Sequence, residues 1–156
     1  MRTEEFKTIT DPFEAITLAE MEEVALMNRI DTKYAISETT FLEILPILKE
    51  SYRILSVGGL KYSGYESLYF DSPDMSFFTD HHKGKNNRLK IRIRKYINNN
   101  LAFLEVKRKQ KGRTQKSRLK TDHYDAEFND TEFKFLRASY PEANELRSTL
   151  SNSFNR

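Results

Sequence analysis

Fifteen lysines and arginines lie between Lys83 and Lys120 against one acid, Glu105. That segment carries +14 and the rest of the chain −11, so the formal net charge of +3 conceals a strong segregation. Side chains of this kind hold anions, and phosphoryl oxygens above all. Arginine offers a planar fork that can take two oxygens at once, whereas lysine acts as a compact point charge.

The order of these residues says what must position them. In Arg88-Leu89-Lys90-Ile91-Arg92-Ile93-Arg94 every even position is cationic and every odd one is a branched aliphatic. A period of two is that of a half-buried strand, whereas a basic helix would repeat at three and four. Asn98-Asn99-Asn100 reads as a turn. Leu101 to Lys109 reads as a second strand, with Glu105, Lys107 and Lys109 on one face and Ala102, Leu104 and Val106 on the other. Lys111-Gly112-Arg113 breaks the pattern, and Gln115 to Lys120 resumes it with Lys116, Arg118 and Lys120 opposite Ser117 and Leu119. Three successive antiparallel strands would therefore gather their cations on one sheet surface. Each close pair of like charges costs on the order of 1 to 4 kcal/mol depending on the effective dielectric, and an anionic ligand is the simplest remedy.

Other readings stand beside this one. A solvated sheet face is the plain alternative for any single cation. A nucleic-acid module would use the same cations with Tyr34, Tyr69 and Tyr96 as stacking platforms. Against it, the cations alternate with aliphatics, although Tyr96 shares parity with Arg92 and Arg94. Glu105 is open to metal ligation, to orienting Lys107, or to a plain ion pair. Tyr69 is open to packing or to contact with a base. His81 and His82, beside a lysine-rich turn, read as surface residues, and His123 gives no usable signal.

Composition bounds the rest. With 156 residues, 38% of them apolar, the chain is long enough for one domain with a real core. Charged residues make up 31% and the mean hydropathy is −0.71, and no apolar run approaches the ~20 residues a membrane helix needs. No cysteine is present, which removes disulfides and thiolate metal sites and suits a cytoplasmic location. Three histidines are too few and too poorly spaced for a zinc site. No Ser-His-Asp set, phosphate-binding glycine loop or paired-carboxylate site is found, so no catalytic side chain is assigned.

Along the chain, Asp11-Pro12-Phe13-Glu14 predicts a helix from about Pro12 to Ala25. Arg29 to Ile36 predicts a strand with Arg29, Asp31 and Lys33 on one face. Ser37 caps a helix from about Glu38 to Glu50, with Pro46 as a kink or break. Gly58-Gly59 is a turn. Tyr62 to Asp71 is an aromatic-rich strand. Ser72-Pro73 opens a short helix to about His81 anchored by Phe77 and Phe78. Asp130 or Thr131 caps a helix to about Ser139, and Pro141 starts another to about Leu150, after which Ser153 to Arg156 resemble the start of a strand.

Read in this order, the chain resembles the amino-terminal half of a VTC domain. That domain is the polyphosphate polymerase module of the vacuolar transporter chaperone complex, within the CYTH or triphosphate tunnel metalloenzyme superfamily. The resemblance is carried by Arg29-Ile30-Asp31-Thr32-Lys33-Tyr34, Ser67-Leu68-Tyr69-Phe70-Asp71, Arg92-Ile93-Arg94-Lys95-Tyr96, Leu104-Glu105-Val106-Lys107 and Lys116-Ser117-Arg118. It implies an α+β fold with an antiparallel β tunnel, here a partial one with flanking helices. It implies that Lys33, Arg92, Arg94, Lys107 and Lys116 hold phosphoryl oxygens inside the tunnel, with Arg118 and Arg88 as neighbours.

Polyphosphate or a nucleoside triphosphate is the implied ligand, and transfer of the γ-phosphoryl group the implied reaction. A divalent metal, Mn or Mg, is the implied cofactor, with no ligands assignable in this chain. A non-catalytic polyphosphate scaffold is the alternative. Two departures matter. The tunnel triphosphatases carry Glu-x-Glu-x-Lys on the first strand, where this chain has Arg29-x-Asp31-x-Lys33, which favours the VTC branch. The residues matched are those expected of the family's first half alone, so the sheet is expected either to pair its open strand edges with a second copy or to be incomplete.

Overall fold

The computed structural model describes residues 3–23, 32 and 34–155. The chain divides into two compact units, Met1–Ser63 and Gly64–Arg156.

The first unit begins with helix α1 (Thr3–Thr10), followed by strand β1 (Ala15–Ile16), helix α2 (Leu18–Glu23), helix α3 (Glu38–Leu48) and strand β2 (Ile54–Leu55). The helix expected from Pro12 is not formed there. Lys61 Nζ donates to the carbonyl oxygens of Asp11 and Phe13 at 2.7 and 2.8 Å, and β1 pairs in parallel with β2, so these carbonyls are withdrawn from any helix. The helix starts instead at Leu18. The Thr17 N–H donates to Glu20 Oε2 at 2.8 Å and the Glu20 N–H to Thr17 Oγ1 at 3.3 Å, a reciprocal capping box.

Half of the strand expected over Arg29–Ile36, including Arg29, Asp31 and Lys33, falls outside the described residues. Thr32 and Tyr34 to Ile36 lie in no strand, and Tyr34 is 83% exposed. Helix α3 is capped by Ser37 as expected and runs through Pro46 without a break.

The second unit holds the cationic segment. Its elements are β3 (Gly64–Asp71), α4 (Ser76–His82), β4 (Arg88–Tyr96), β5 (Leu101–Gln110), β6 (Arg113–Thr121), α5 (Asp130–Arg137), a 3₁₀ turn at Ala143–Glu145, and β7 (Arg147–Asn155). The strands form one antiparallel sheet in the order β6-β5-β4-β3-β7. The α+β class is as expected. Among the described residues the five strands make an open sheet and close into no barrel, since β6 and β7 each have a ladder partner on one side only.

Turn chemistry sets the register. The β5–β6 hairpin turns on Lys111 and Gly112, both left-handed at φ 48° and 79°, the two-residue geometry that matches strand twist. Between β4 and β5, Asn99 Oδ1 accepts from the Leu101 N–H at 3.1 Å, and Asn100 takes φ 54°.

One face of this sheet is the core. Ile91 and Ile93 of β4 and Leu104 of β5 are wholly buried, packed with Phe70, Leu89, Ala102 and Val106 against Phe77 of α4 and Leu136 of α5. Each such burial contributes about 1.5–3 kcal/mol. Two helix starts depend on carboxylates. Asp71, at the end of β3, accepts from the N–H groups of Ser72, Phe77 and Phe78 at 2.8 Å each. Helix α4 therefore opens at Ser76, later than expected. Phe77 is buried, but Phe78 is 61% exposed and stacks on His82, so only the first is an anchor.

Asn129 and Glu132 form a capping box on α5, and Glu132 Oε2 also meets His123 Nε2 at 2.8 Å. The helix expected from Pro141 reduces to one 3₁₀ turn. Residues Arg147–Asn155, rich in Ser, Thr and Asn, favour the hydrogen-bonding partner offered by the β3 edge over a helix.

Two outcomes test this packing. Leu104→Ala should destabilise the chain by about 2–5 kcal/mol in urea unfolding, and Asn129→Ala by about 1 kcal/mol. A smaller loss for Leu104→Ala than for Asn129→Ala would contradict the assigned core. For His123, burial pulls the pKa down, but the Glu132 hydrogen bond and the charges of Glu132, Asp125 and Asp122 together raise it above the ordinary value. Its contribution is thus fully present below the unfolded-state pKa and is lost as pH rises through the raised one. His123→Gln should remove that decline in stability as pH rises through and above the ordinary histidine range, and a decline unchanged in the variant would sink the assignment.

Candidate anion-binding face

The face opposite the core is built by the same alternation. Strand β4 supplies Arg88, Lys90, Arg92 and Arg94, β5 supplies Glu105, Lys107 and Lys109, and β6 supplies Lys116, Arg118 and Lys120. Strand β3 contributes Tyr65, Ser67 and Tyr69 beside them. Of the residues singled out from sequence, Arg92, Arg94, Lys107, Lys116 and Arg118 are thereby brought together. Lys33 lies outside the described residues.

Two rows across the sheet define the arrangement. In the first, Tyr69, Arg92, Glu105 and Arg118 are directly opposite one another on β3 to β6. Glu105 is buried, its side chain 4% exposed, and both its oxygens are engaged. Oε2 accepts from Arg92 Nε at 2.8 Å and Nη2 at 2.6 Å, while Lys116 Nζ approaches Oε1 at 3.0 Å. Arg92 Nη1 donates to the Tyr69 hydroxyl at 3.3 Å. Of the three roles open to Glu105, the geometry shows the ion pair, with Arg92 and Lys116, and no contact that orients Lys107. The side chain that Glu105 turns inward from β6 is diagonal to it, which sequence alone does not reveal.

In the second row, Lys90, Lys107 and Lys116 face one another across β4, β5 and β6. Directly opposite like charges are destabilising in a sheet. Lys116 is relieved by Glu105 and Lys90 by the Tyr69 ring, whose centroid lies 4.5 Å from Nζ. The Lys107 side chain, between them, makes no hydrogen bond or ion pair among the described residues.

Aromatic rings hold two further arginines of this face. The Arg94 guanidinium lies 4.2 Å from the Tyr65 centroid, with Nε 3.4 Å from Ser67 Oγ, and that of Arg118 lies 4.9 Å from Phe103. Such contacts are worth about 0.5–1 kcal/mol at exposed sites. Tyr65, Ser67 and Phe103 were not singled out from sequence, yet their parity with Arg94 and Glu105 is the signal that places them here.

Electrostatics follow the geometry. Burial works to raise the Glu105 pKa, but the hydrogen bonds and charges of Lys116 and Arg92 together hold it below the ordinary carboxylate range. Burial likewise opposes ionisation of Tyr69, and the Arg92 hydrogen bond with the charges of Lys90, Arg92 and Arg94 outweighs it, so the phenol is lowered. Among the described residues no group of three or more His, Cys, Asp or Glu could hold a metal ion. With both oxygens of Glu105 committed to cations, the described residues of this face leave no carboxylate oxygen free for a divalent ion.

An α+β domain that buries one side of an antiparallel sheet and lines the other with cations is the class these features define. A family model for the VTC domain matches residues 28–154, and the chain belongs to the VTC domain family. The comparison with curated proteins finds no match. Membership suggests a polyphosphate-related function in general. No helix among the described residues is long and apolar enough to cross a membrane.

The lowered pKa of Glu105 fixes a sign. Its contribution to stability is present above the unfolded-state pKa and is lost as pH falls through the depressed folded value. In urea unfolding from about pH 6 to about pH 3, Glu105→Gln should show a shallower acid loss than the wild-type chain. Parallel curves for the two would contradict the pairing.

Proposed function

We propose that the cationic face holds the phosphoryl oxygens of polyphosphate or a nucleoside triphosphate, and that the domain transfers a γ-phosphoryl group onto a growing phosphate chain. The observation that carries this reading is the row Lys90, Lys107 and Lys116, three ammonium groups in direct register with, among the described residues, the carboxylate of Glu105 beside Lys116. A polyphosphate is a flexible anion with about one charge per phosphoryl unit, and spaced cations suit it better than a single nest. Glu105 and Tyr69 occupy three of the five N–H donors of Arg92, which leaves two for phosphoryl oxygens.

Lys33 joins this set as a proposal from the family resemblance, as does closure of the sheet into a tunnel. In phosphoryl transfer the protein aligns donor and acceptor and neutralises the charge on the transferring group, so no nucleophilic side chain is needed. Arg92, Arg94 and Arg118 would supply the fork-shaped contacts, and Lys107 and Lys116 the point charges.

A nucleic-acid reading is weaker on this geometry. Cations lie over the rings of Tyr65, Tyr69 and Phe103, which are therefore not open to stacked bases. Calorimetry with tripolyphosphate provides the test. Replacing Arg92 and Arg94 together by Ala should weaken binding by at least about a hundredfold while circular dichroism stays unchanged, as expected for loss of two charge-assisted contacts. Unchanged affinity, or a preference for a single-stranded oligonucleotide over tripolyphosphate, would overturn the site. Release of ADP from ATP with growth of a phosphate chain separates the polymerase from a binding scaffold, and binding without turnover would favour the scaffold.

A further inference from the structure

The buried carboxylate at the centre of the cationic face admits two opposite roles. As a plain counter-charge, Glu105 would repel an incoming anion, and removing it would tighten binding. As a scaffold, it would hold its cations where the anion needs them. The geometry decides between these.

Arg92 gives both Nε and Nη2 to one oxygen of Glu105, and its side chain is only 19% exposed. Its flanking neighbours on the same face of β4 are Lys90 and Arg94. Without the carboxylate Arg92 keeps only the 3.3 Å contact to Tyr69, and the neighbouring charges push it outward. Lys116, 52% exposed on an edge strand, stands opposite Lys107 and is turned toward the face by its 3.0 Å contact with Oε1. Repulsion from Lys107 alone would turn it away. Long side chains released in this way must be ordered again when a ligand binds, at about 0.5–1.5 kcal/mol each.

We propose that Glu105 is the positioning residue of this face, fixing Arg92 and Lys116 in convergent orientations that stay in place when a phosphate chain binds. This rests on the phosphate-binding reading above. Glu105 does not touch the ligand in this account; it acts through the two cations.

The experiment compares tripolyphosphate binding by the wild-type chain, Glu105→Gln and Glu105→Asp at neutral pH by calorimetry. Glu105→Gln should bind about tenfold more weakly although the face has gained a net positive charge. Glu105→Asp, which keeps the charge but is one methylene short of reaching both cations, should fall between the two. Equal or tighter binding by Glu105→Gln, or wild-type affinity in Glu105→Asp, would overturn the positioning role while leaving the phosphate site intact. If the wild-type chain itself fails to bind tripolyphosphate, both proposals fall. Should Glu105→Gln not fold, the wild-type chain still answers: the Arg92 Nε–H resonance should remain protected from exchange after tripolyphosphate is added. Its loss on ligand addition would show that the carboxylate lets go, and the proposal would fail.

Discussion

A strand turns every second side chain to the same side, and the second unit of this protein rests on that constraint. On β4 the aliphatic set Leu89, Ile91 and Ile93 faces the core and the cationic set faces away. The two faces cannot be chosen separately. A slip of one residue in register would place four cations in the core and three aliphatics in water, so the burial that stabilises the sheet also collects its charge. The Lys111-Gly112 turn and the Asn98 to Asn100 turn extend the same parity to β5 and β6.

Collected charge has to be accommodated, and this face does so by two means. Glu105 pairs with Arg92 and Lys116, and the rings of Tyr65, Tyr69 and Phe103 lie beneath or beside Arg94, Lys90 and Arg118. Neither neutralises the row through Lys107. The unfavourable charge that remains is the physical argument for the proposed anionic ligand: a group binding there would gain by relieving it.

The parts legible in the sequence were those in which the local pattern and the tertiary environment agree. Strands β4, β5 and β6 alternate in sequence, and α3 is capped at Ser37 as read, whereas α5 is capped at Asn129, one residue before the expected Asp130 or Thr131. The rest was decided by partners distant in sequence. The Asp11-Pro12 start signal lost to Lys61, about fifty residues away, which takes the carbonyls of Asp11 and Phe13. Strand β7 has hardly any apolar periodicity to announce it, and the edge of β3 makes it a strand. Of the candidate site, parity placed the cations of β4, β5 and β6 on one face, and the family resemblance narrowed them to Arg92, Arg94, Lys107, Lys116 and Arg118. The diagonal reach of Lys116 to Glu105 and the pairing of His123 with Glu132 depend on side-chain direction, which parity does not supply.

The central claim is that one face of this sheet, and not its charge at large, receives the phosphate. Nuclear magnetic resonance of the arginine Nε–H groups during titration with tripolyphosphate tests it most directly, because the chain carries its own controls. Arg108 sits on β5 with the opposite parity and donates to the Ser139 carbonyl at 2.8 Å, and Arg137 lies over Phe133 on α5. Shifts concentrated at Arg92, Arg94 and Arg118, with Arg108 and Arg137 still, are the predicted result. Equal shifts at all five, or movement at Arg108 and Arg137 alone, would contradict the account.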